Sequence, residues 1–584
     1  MSEQIHVLPK PQVVEQLGAA PVILGAPGQP DYKIELDSLS NEPVVLQAVK
    51  LLRACLSGLL VGPEREDAAV TVQLGLAQPP ADLPNAAQGY EIRADAQMVS
   101  LRGYGPLGLF YAVQTFCQIV RVQQNDVVVP AVRIQDWPDM ATRGHFVESR
   151  YGSNLMTLAD WQAVVDNMAE MKMNHLIVSV YGCWCVQYDG RVSEYLYVPF
   201  KQYEKLQTPV VTRYYAAENE AWVEGEQLPP MFEQDFFGDL VAYGTARAVT
   251  VLPLFNSFGH NTLIPAQYPE VSAKDKDGEP TLTGFCTANP QTYEMLFAMY
   301  DHIVDNYLLP NGVDSFHIGL DEVGDGIAQN SQDIKRVRSP WCQCEKCAGH
   351  DRSDLFIRHA IRLMLHLKEK GMKHIYMYSD MLIPHGTYST KDYSAKMQMA
   401  ILENNLEKEA VIDWWTYSDE KDKLMFQSTR PEQGLRRTVK PWNGYYHWTV
   451  LSHPLRNIHL LAEIGYKEQV EGMLSYSAWD LSFERNNAAQ ASFAWNFQGS
   501  GDLDAFRKAY AENRFSDGAD NAFQAFDLME KAASSQNGKQ ADGTPLINRL
   551  SLLQHELSYY FYSYVRADRP YPRCYPGEAL EKLA

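Results

Sequence analysis

The sequence predicts an α/β protein: a (β/α)8 TIM barrel preceded by a small α+β domain and followed by a helical C-terminal extension. The chain has 584 residues, 46% hydrophobic and 21% charged, enough for two to four globular domains of about 150 residues each. From Arg143 onward, short apolar strands alternate with amphipathic helices, the pattern of a parallel sheet. The residues before Arg143 lack this alternation and read as a separate unit.

The N-terminal α+β domain is expected over residues 1–138. The apolar spacing predicts an amphipathic helix at 44–60 and strands at 70–74 and 89–94. A second helix is predicted in the segment GPLGLFYAVQTFCQIV, residues 105–120, because its apolar side chains recur at helical spacing on one face. A proline-bearing segment at 134–139 then marks the exit from this domain.

The barrel is expected over residues 139–500, with a helical extension over 501–584. Its functional residues should lie at the carboxyl ends of the strands. A long second loop, 181–231, is rich in Tyr and Trp and is expected to shape a binding cleft, with simple loop decoration as the alternative. The eight strands are predicted to begin near Gly144, His175, Thr250, Asp314, His374, Ala410, Arg437 and Gly472.

Composition narrows the classes of partner. A net charge of −21 opposes binding to nucleic acid and to anionic membranes and favours a neutral substrate. The nine cysteines are an odd number, which favours reduced thiols, and the first residues show no secretory signal pattern. No uninterrupted apolar run approaches the ~20 residues that span a bilayer. We therefore expect a soluble, cytoplasmic protein with no nucleic-acid or membrane partner; its oligomeric state stays open.

Asp321 and Glu322 follow directly on an apolar strand, in DSFHIGLDEVGDG, residues 314–326. In a parallel barrel this places the pair at the rim where substrates bind. Neighbouring strand residues point to opposite faces, so the two carboxyls converge only if the backbone turns, which Gly319 and Gly324 permit. Two carboxyls in different surroundings can divide the work of glycosidic hydrolysis, one donating a proton while the other stays ionised. A solvated surface pair is the alternative.

Four series of residues carry a resemblance to a known family. The segment from His317 to Glu322 resembles the H-x-G-G-D-E signature of glycoside hydrolase family 20, the β-N-acetylhexosaminidases, with Leu replacing the second glycine. Residues 143–150 resemble the family's first barrel strand, R-G-x-x-x-D-x-[SA]-R, and residues 256–260 resemble its third, D-x-P-G-H. Segments 8–11, 89–92, 108–115 and 134–138 resemble its accessory α+β domain, in the expected order.

The resemblance implies a substrate and a mechanism. Glu322 would be the general acid and base, and Asp321 would orient and polarise the 2-acetamido group of the sugar. The acetamide oxygen would attack the anomeric carbon, giving an oxazoline intermediate and net retention, so that catalysis needs neither a protein nucleophile nor a cofactor. The substrate would be a glycan or glycoconjugate that ends in a β-linked N-acetylhexosamine, GlcNAc or GalNAc.

The resemblance also implies a set of substrate-binding residues. Arg143 would grip the sugar hydroxyls through its fork of donors, and Trp415 and Trp479 would form aromatic walls on strands six and eight. His260 would contact the groups that bind the sugar and hold them in position. The acetamide-binding tyrosine would be Tyr445 or Tyr446, and the strand-eight acid would be Asp480 or Glu484. His317 is expected to be a buried structural residue.

Several positions depart from the family pattern. Glu148 replaces the strand-one aspartate, residues 179–181 replace an H-x-H on strand two, and the third strand lacks its acid and proline. These positions tune the pair and hold the sugar, so substrate preference is more open than reaction type. The alternatives are a disaccharide-releasing or GalNAc-preferring glycosidase and, from another class, a catalytically silent glycan-binding protein.

Three cysteines cluster after the carboxylate segment. Cys342, Cys344 and Cys347 have the spacing C-x-C-x2-C, which suits a structural, tetrahedral zinc ion. The fourth ligand would be His350, Cys286 or another distant group. The alternative is a set of free thiols, and catalysis requires no metal on either interpretation.

Overall fold

The computed structural model describes most of the chain up to the C-terminal extension. The described residues are 5–37, 39–147, 153–182, 185–186, 192–216, 220–327, 337–384, 391–419, 435–443, 452–477 and 483–534.

The N-terminal domain is an α+β unit, as predicted. Its elements are β1 (Val13–Gln16), β2 (Val22–Ala26), β3 (Gln29–Pro30), β4 (Tyr32–Asp37), α1 (Pro43–Leu60), β5 (Val70–Leu76), β6 (Tyr90–Asp95), β7 (Met98–Gly103), α2 (Pro106–Ile119), β8 (Arg121–Gln123), β9 (Asp126–Val129) and β10 (Val132–Asp136). One sheet has the order β1-β10-β6-β7-β5-β4, and a smaller one has the order β3-β2-β9-β8. Helices α1 and α2 pack against each other, and α2 lies on β6 and β7.

Helix α1 begins with Pro43 in its first turn, where the missing N–H costs nothing, and ends at Leu60; Val61, which caps it, has a left-handed φ of 52°. Among the described residues it is the one helix long and apolar enough to span a membrane, with a mean hydropathy of 1.5. Its apolar residues include a buried stripe with helical spacing, among them Ala48, Leu52 and Leu56. That stripe belongs to the core of the domain, which accounts for the apolar composition of the helix.

The second region is a closed barrel of eight parallel strands. Its first half contains β11 (Thr142–Val147), α3 (Leu158–Glu170), β12 (His175–Tyr181), β13 (Cys185–Val186), β14 (Val192–Ser193), β15 (Val210–Ala216), β16 (Ala221–Gln227), α4 (Pro230–Gln234), α5 (Phe237–Thr245), β17 (Thr250–Phe255), α6 (Leu263–Gln267), β18 (Ser272–Lys274), β19 (Pro280–Phe285), α7 (Pro290–Ile303) and β20 (Ser315–His317).

The second half contains β21 (Gly326–Ile327), β22 (Val337–Arg338), α8 (Arg352–Glu369), β23 (His374–Tyr378), α9 (Ser394–Glu403), β24 (Ala410–Trp415), β25 (Arg436–Lys440), α10 (Ser452–Lys467) and β26 (Gly472–Ser477). The barrel strands follow in the order β11-β12-β17-β20-β23-β24-β25-β26. All eight begin within two residues of their predicted starts, so the barrel prediction is confirmed. In the described residues of the second loop, β13 pairs antiparallel with β14 and β15 pairs antiparallel with β16.

A polar layer fills part of the barrel interior. The Lys440 ammonium lies 2.8 Å from the Asp413 carboxylate, and both side chains are almost fully buried. Asp413 also accepts a hydrogen bond from the Thr438 hydroxyl at 2.8 Å, and His317 Nε2 lies 3.5 Å from it. Burial acts against the charge of Asp413, but the Lys440 ammonium and His317 together outweigh it and hold the pKa of Asp413 below its usual value. His317 is fully buried, in agreement with its predicted structural role.

At the amino end of the barrel the two domains meet in a buried network. Asp136, the last residue of β10, lies 3.2 Å from the Lys172 ammonium and accepts a hydrogen bond from Trp495 Nε1 at 2.8 Å. Lys172 also donates to the Tyr90 hydroxyl at 2.8 Å. Burial lowers the pKa of Lys172 to about 8, although the Asp136 carboxylate opposes this shift. The network therefore joins the accessory sheet to the base of the barrel.

Arg143 belongs to this amino-end network, so its predicted contact with the sugar is wrong. It is the second residue of β11 and is fully buried. Its guanidinium donates to the Lys172 carbonyl at 2.8 and 3.1 Å and to Gln88 Oε1 at 2.8 Å, and it lies 4.9 Å from the Trp495 ring. Parallel strands put their first residues at the end of the barrel away from the substrate, which is why the side chain points there.

The chain after the last barrel strand is helical in its described part. Helices α11 (Glu484–Trp495) and α12 (Phe497–Ser500) come first and complete the predicted barrel region, and the described part of the extension comprises α13 (Leu503–Phe515) and α14 (Ala519–Ser534). Helix α13 packs on α11 and α14. The helical prediction is met over 503–534, and residues 535–584 lie outside the described part. The boundaries at 138/139 and 500/501 stay predictions.

Candidate active site

The segment after β20 turns sharply, which brings two adjacent carboxyls to one side. Gly319, Leu320 and Glu322 have φ values of 68°, 74° and 46°. The Gly319 N–H donates to His317 Nδ1 at 3.0 Å, so the buried histidine fixes the start of the turn. A left-handed backbone at a non-glycine residue costs about 1–3 kcal/mol and tends to occur at functional sites. Leu320 stands at the position where the family signature has its second glycine.

The loop after β17 presses against this turn. A Cβ atom on Gly259 would lie 1.8 Å from the Asp321 carbonyl oxygen, so only glycine fits there. His260 follows, with a φ of 48°. Two strained segments from neighbouring strands therefore meet at the carboxyl end of the barrel, and each fixes the position of the other.

His260 contacts both carboxylates. Its Nε2 lies 3.2 Å from Asp321 Oδ2 and 3.4 Å from Glu322 Oε2, and the three side chains are only 13%, 19% and 24% exposed. Burial opposes a charge on His260, but the two carboxylates outweigh it and raise the pKa of His260 well above 6.5. The two carboxylates therefore favour the protonated form of the imidazole that lies between them. The Oδ1 atom of Asp321 is buried and receives no hydrogen bond from the described residues, a cost that a donor on a bound ligand would remove.

A third acid, Asp380, completes the cluster, and it was missed in the sequence. Its Oδ2 accepts a hydrogen bond from the Glu322 backbone N–H at 2.7 Å, and its Oδ1 accepts one from Trp415 Nε1 at 3.0 Å. Burial and the Asp321 charge raise the pKa of Asp380 to about 8, although both hydrogen bonds act in the opposite direction. Asp380 therefore fixes the backbone of Glu322 and the indole of Trp415 relative to each other.

The signal that could have found Asp380 is its position two residues after β23, at the same end of the barrel as the carboxylate pair. A single acid after a strand is common, so that signal is weak until the strand is placed beside its neighbours.

Aromatic side chains line the rim beside Trp415. The Trp415 and Tyr417 rings lie 5.1 Å apart, and Tyr417 lies 5.7 Å from Tyr476 and 6.0 Å from Trp442. Trp415 is half-buried, whereas Trp442 is buried; the role of Trp415 as an aromatic wall stays a prediction. Tyr417 and Tyr476 were not predicted, because Tyr at a strand end is more often packing than binding. Such rings stack on the apolar face of a pyranose.

The departures on strand two have a structural use. Tyr181, the last residue of β12, donates to the buried carboxylate of Glu194 at 3.1 Å. Glu194 also accepts the backbone N–H groups of Thr262 and Leu263, each at 2.6 Å. These contacts cap α6 immediately after His260. Strand two is therefore linked through Glu194 to the loop that contains His260.

The remaining predicted residues are placed only in part. Tyr445, Tyr446, Trp479 and Asp480 lie outside the described residues, as does Glu148, so their roles stay predictions. Glu484 accepts hydrogen bonds from Tyr510 and from Arg514, the latter at 2.9 Å, and so faces the C-terminal helices. Of the two candidates for the strand-eight acid, this favours Asp480.

The cysteines of the predicted thiol cluster lie close together in the structure. Among the described residues, the Sγ atoms of Cys286, Cys342, Cys344 and Cys347 all lie within 4.8 Å of one another, and Cys286 is thereby the candidate fourth ligand. His350, the other candidate named, is not part of this group.

A barrel that holds two carboxyls at its carboxyl end, beside a half-buried indole, has the arrangement of a glycoside hydrolase. Comparison with known families agrees. The family described as "Glycosyl hydrolase family 20, domain 2" matches residues 4–137, and "Glycosyl hydrolase family 20, catalytic domain" matches residues 143–446, more than half of the chain. The chain belongs to glycosyl hydrolase family 20.

Curated relatives are distant. A beta-hexosaminidase of Porphyromonas gingivalis is 24% identical over 360 residues, 57% of this chain and 42% of that protein. A beta-hexosaminidase of Akkermansia muciniphila is 25% identical over 268 residues, 44% of this chain and 49% of that protein. The aligned part of the chain thus spans less than half the length of either relative.

Solved structures share the fold. A chitobiase of Flavobacterium johnsoniae aligns over 91% of this chain and 74% of its own, with a TM-score of 0.59 and 16% identity. A family 20 exo-β-N-acetylglucosaminidase of Vibrio harveyi, solved with N-acetylglucosamine, aligns over 90% of this chain and 78% of its own, with a TM-score of 0.59 and 16% identity. At this identity the likeness is one of fold.

Proposed function

We propose that this protein is an exo-acting β-N-acetylhexosaminidase that releases a terminal β-linked GlcNAc or GalNAc by a retaining, substrate-assisted mechanism. The observation that carries the proposal is the convergence of Asp321 and Glu322 on one imidazole at the carboxyl end of the barrel. Curated relatives named beta-hexosaminidase support the substrate class. The proposed substrate is a glycan or glycoconjugate, and the cytoplasmic location remains a prediction.

The mechanism assigns one task to each carboxyl. Glu322 donates a proton to the glycosidic oxygen as the C–O bond breaks, while the acetamide oxygen attacks the anomeric carbon and closes an oxazoline. Asp321 accepts the acetamide N–H, which increases the nucleophilicity of that oxygen. Glu322 then removes a proton from a water molecule, and the oxygen of that water attacks the anomeric carbon. The bond from this carbon to the oxazoline oxygen breaks, and the product has the original configuration.

The charges around the pair suit this sequence of events. Once Glu322 has lost its proton, the cation on His260 at 3.4 Å stabilises the carboxylate that remains. Asp380 keeps the Glu322 backbone in place and orients Trp415, whose ring would cover a face of the sugar. Each residue therefore acts on the sugar or on a group that touches it.

The test is the hydrolysis of chromogenic β-N-acetylglucosaminide and β-N-acetylgalactosaminide, together with an unactivated disaccharide. Glu322→Gln should lower the turnover of the disaccharide by about 10²–10⁴-fold, the usual contribution of a general acid, while leaving binding largely intact. Asp325→Asn is the matched control, since Asp325 is an exposed acid of the same segment, and it should keep its activity. If the wild type binds N-acetylhexosamine yet cleaves none of these glycosides, the glycan-binding alternative is correct. Release of disaccharides from longer glycans would favour the alternative of a disaccharide-releasing glycosidase.

A further inference from the structure

The four clustered thiols have the geometry of a metal site. A tetrahedral zinc ion with Zn–S bonds near 2.3 Å places its sulfur atoms about 3.8 Å apart. Cys286 Sγ and Cys344 Sγ lie 3.7 Å apart, and all four sulfurs lie within 4.8 Å of one another. A disulfide requires about 2.05 Å, so Cys286 and Cys344 are not bonded to each other, and the spacing suits ligands around an ion.

The surroundings of the thiols also suit a buried thiolate site. Cys286, Cys342 and Cys347 are at most 6% exposed, and Cys344 is partly buried. The Lys274 backbone N–H points at Cys342 Sγ from 3.4 Å. Thiolates in structural sites are commonly stabilised by such surrounding donors. Four thiolates in a tetrahedral set are the ligands that zinc prefers for structural sites.

The ligands come from two loops that flank the active site. Cys286 follows β19, in the loop between the third and fourth barrel strands, whereas the other three cysteines precede α8, in the loop after the carboxylates. The Gln343 N–H donates to the Lys274 carbonyl at 2.7 Å, and a Cβ on Gly284 would lie 2.5 Å from Pro340 Cβ. The two loops are therefore in intimate contact around the cluster.

A short path of contacts joins the cluster to the histidine loop. Trp341, next to Cys342, packs edge-on against Phe258 with ring centroids 5.1 Å apart, and Phe258 precedes His260 by two residues. The Gly284 N–H donates to the Asn261 carbonyl at 3.1 Å, on the other side of His260. The cluster thus supports the strained backbone of His260 from both sides.

We propose that Cys286, Cys342, Cys344 and Cys347 bind one zinc ion, which acts as a structural clamp between these two loops and holds the His260 loop in place. The inference is independent of the proposed hydrolase activity, since it rests on the thiols and loops alone. Binding deprotonates the thiols and releases protons, so metal affinity falls as the pH is lowered.

The first test is metal analysis of the full chain, purified without a metal-binding tag under reducing conditions. Inductively coupled plasma mass spectrometry should give one zinc per chain. Cys344→Ser, chosen because Cys344 is the most exposed of the four, should lose most of that zinc, whereas the control Cys55→Ser, a thiol on α1, should retain it. Less than one-tenth equivalent of zinc after incubation with zinc salt, or iron in its place, would overturn the proposal.

A second measurement does not depend on a variant that folds. Zinc is removed from the wild type with a chelator and replaced by cobalt, which should give the intense charge-transfer and d–d bands of a tetrahedral thiolate site. Hydrogen exchange in the metal-free protein should rise in residues 256–262 and 337–350 and stay unchanged in the sheet strands β5, β6 and β7. Three results would each contradict the clamp: the absence of the cobalt bands, the detection of disulfides between these cysteines by mass spectrometry, and unchanged hydrogen exchange at residues 256–262.

Discussion

The two ends of the barrel use the same kinds of side chain in opposite ways. At the amino end, Asp136, Lys172 and Arg143 are buried, and the two cations and the acid all have several hydrogen-bond partners. At the carboxyl end, by contrast, a buried oxygen of Asp321 has no hydrogen-bond donor among the described residues. Satisfied charges at one end stabilise the junction of the domains, whereas an unsatisfied carboxylate oxygen at the other end is available to a ligand.

The largest expected effect breaks the amino-end network. Asp136→Asn removes the charge beside the buried Lys172 and should lower the free energy of unfolding by about 3–5 kcal/mol, because an uncompensated buried charge remains. The measurement is urea denaturation followed by tryptophan fluorescence. The control Asp37→Asn disrupts a half-exposed ion pair with Arg102 and should cost less than about 1 kcal/mol. Activity per folded molecule should be unchanged in both variants. If Asp136→Asn lowers the free energy of unfolding by less than the control does, the contrast between the two ends of the barrel is contradicted.

An intermediate effect is expected at the carboxyl end. His260→Asn removes the cation between the carboxylates and should lower kcat/KM about 100-fold, or about 2.7 kcal/mol of transition-state stabilisation. Asn adopts a left-handed backbone more readily than other non-glycine residues, so the thermal midpoint should stay the same or rise. Loss of stability with retained kcat/KM would make His260 a structural residue like those at the amino end.

The smallest effect concerns pH and sharpens the same contrast. The pKa of Asp380 is raised to about 8 by burial and by the Asp321 charge, so the folded state holds this proton more tightly than the unfolded chain. Its contribution to stability is complete below about pH 4 and is lost as the pH rises towards 8. Between pH 6.5 and 7.5 the wild type should therefore lose at most about 1.4 kcal/mol relative to Asp380→Asn. Parallel pH profiles of the two proteins would exclude the shift; Asp325→Asn serves as the control.

Much of the fold could be predicted because barrel strands and their helices leave strong periodic signals. All eight strands begin within two residues of the predicted positions, since each is a short buried run between amphipathic helices. The turn at Asp321 and Glu322 was also expected, because a strand cannot present neighbouring residues on one side. The left-handed φ of Leu320, a buried aliphatic residue, could not be expected, because steric preference alone opposes it.

The site was harder to predict than the fold. Arg143 was placed on the sugar because a motif fixes a position in sequence but not the end of the barrel at which the side chain lies. Asp380 and Tyr417 were missed because each is an isolated residue whose significance depends on its neighbours from other strands. Cys286 could be named only as one of several candidates for the fourth ligand. It is distant from the other three cysteines in the sequence, and only the folded chain brings it close to them.

The most direct test of the central claim measures whether the acetamide takes part in bond breaking. The substrates are aryl β-glucosaminides that carry N-acetyl, N-fluoroacetyl, N-difluoroacetyl and N-trifluoroacetyl groups, in which each fluorine weakens the carbonyl oxygen as a nucleophile. If Asp321 and Glu322 act on a sugar whose own acetamide attacks the anomeric carbon, kcat/KM must fall steeply at each step along the series. Rates that do not change across the four substrates would show that the acetamide is a bystander and would contradict the account.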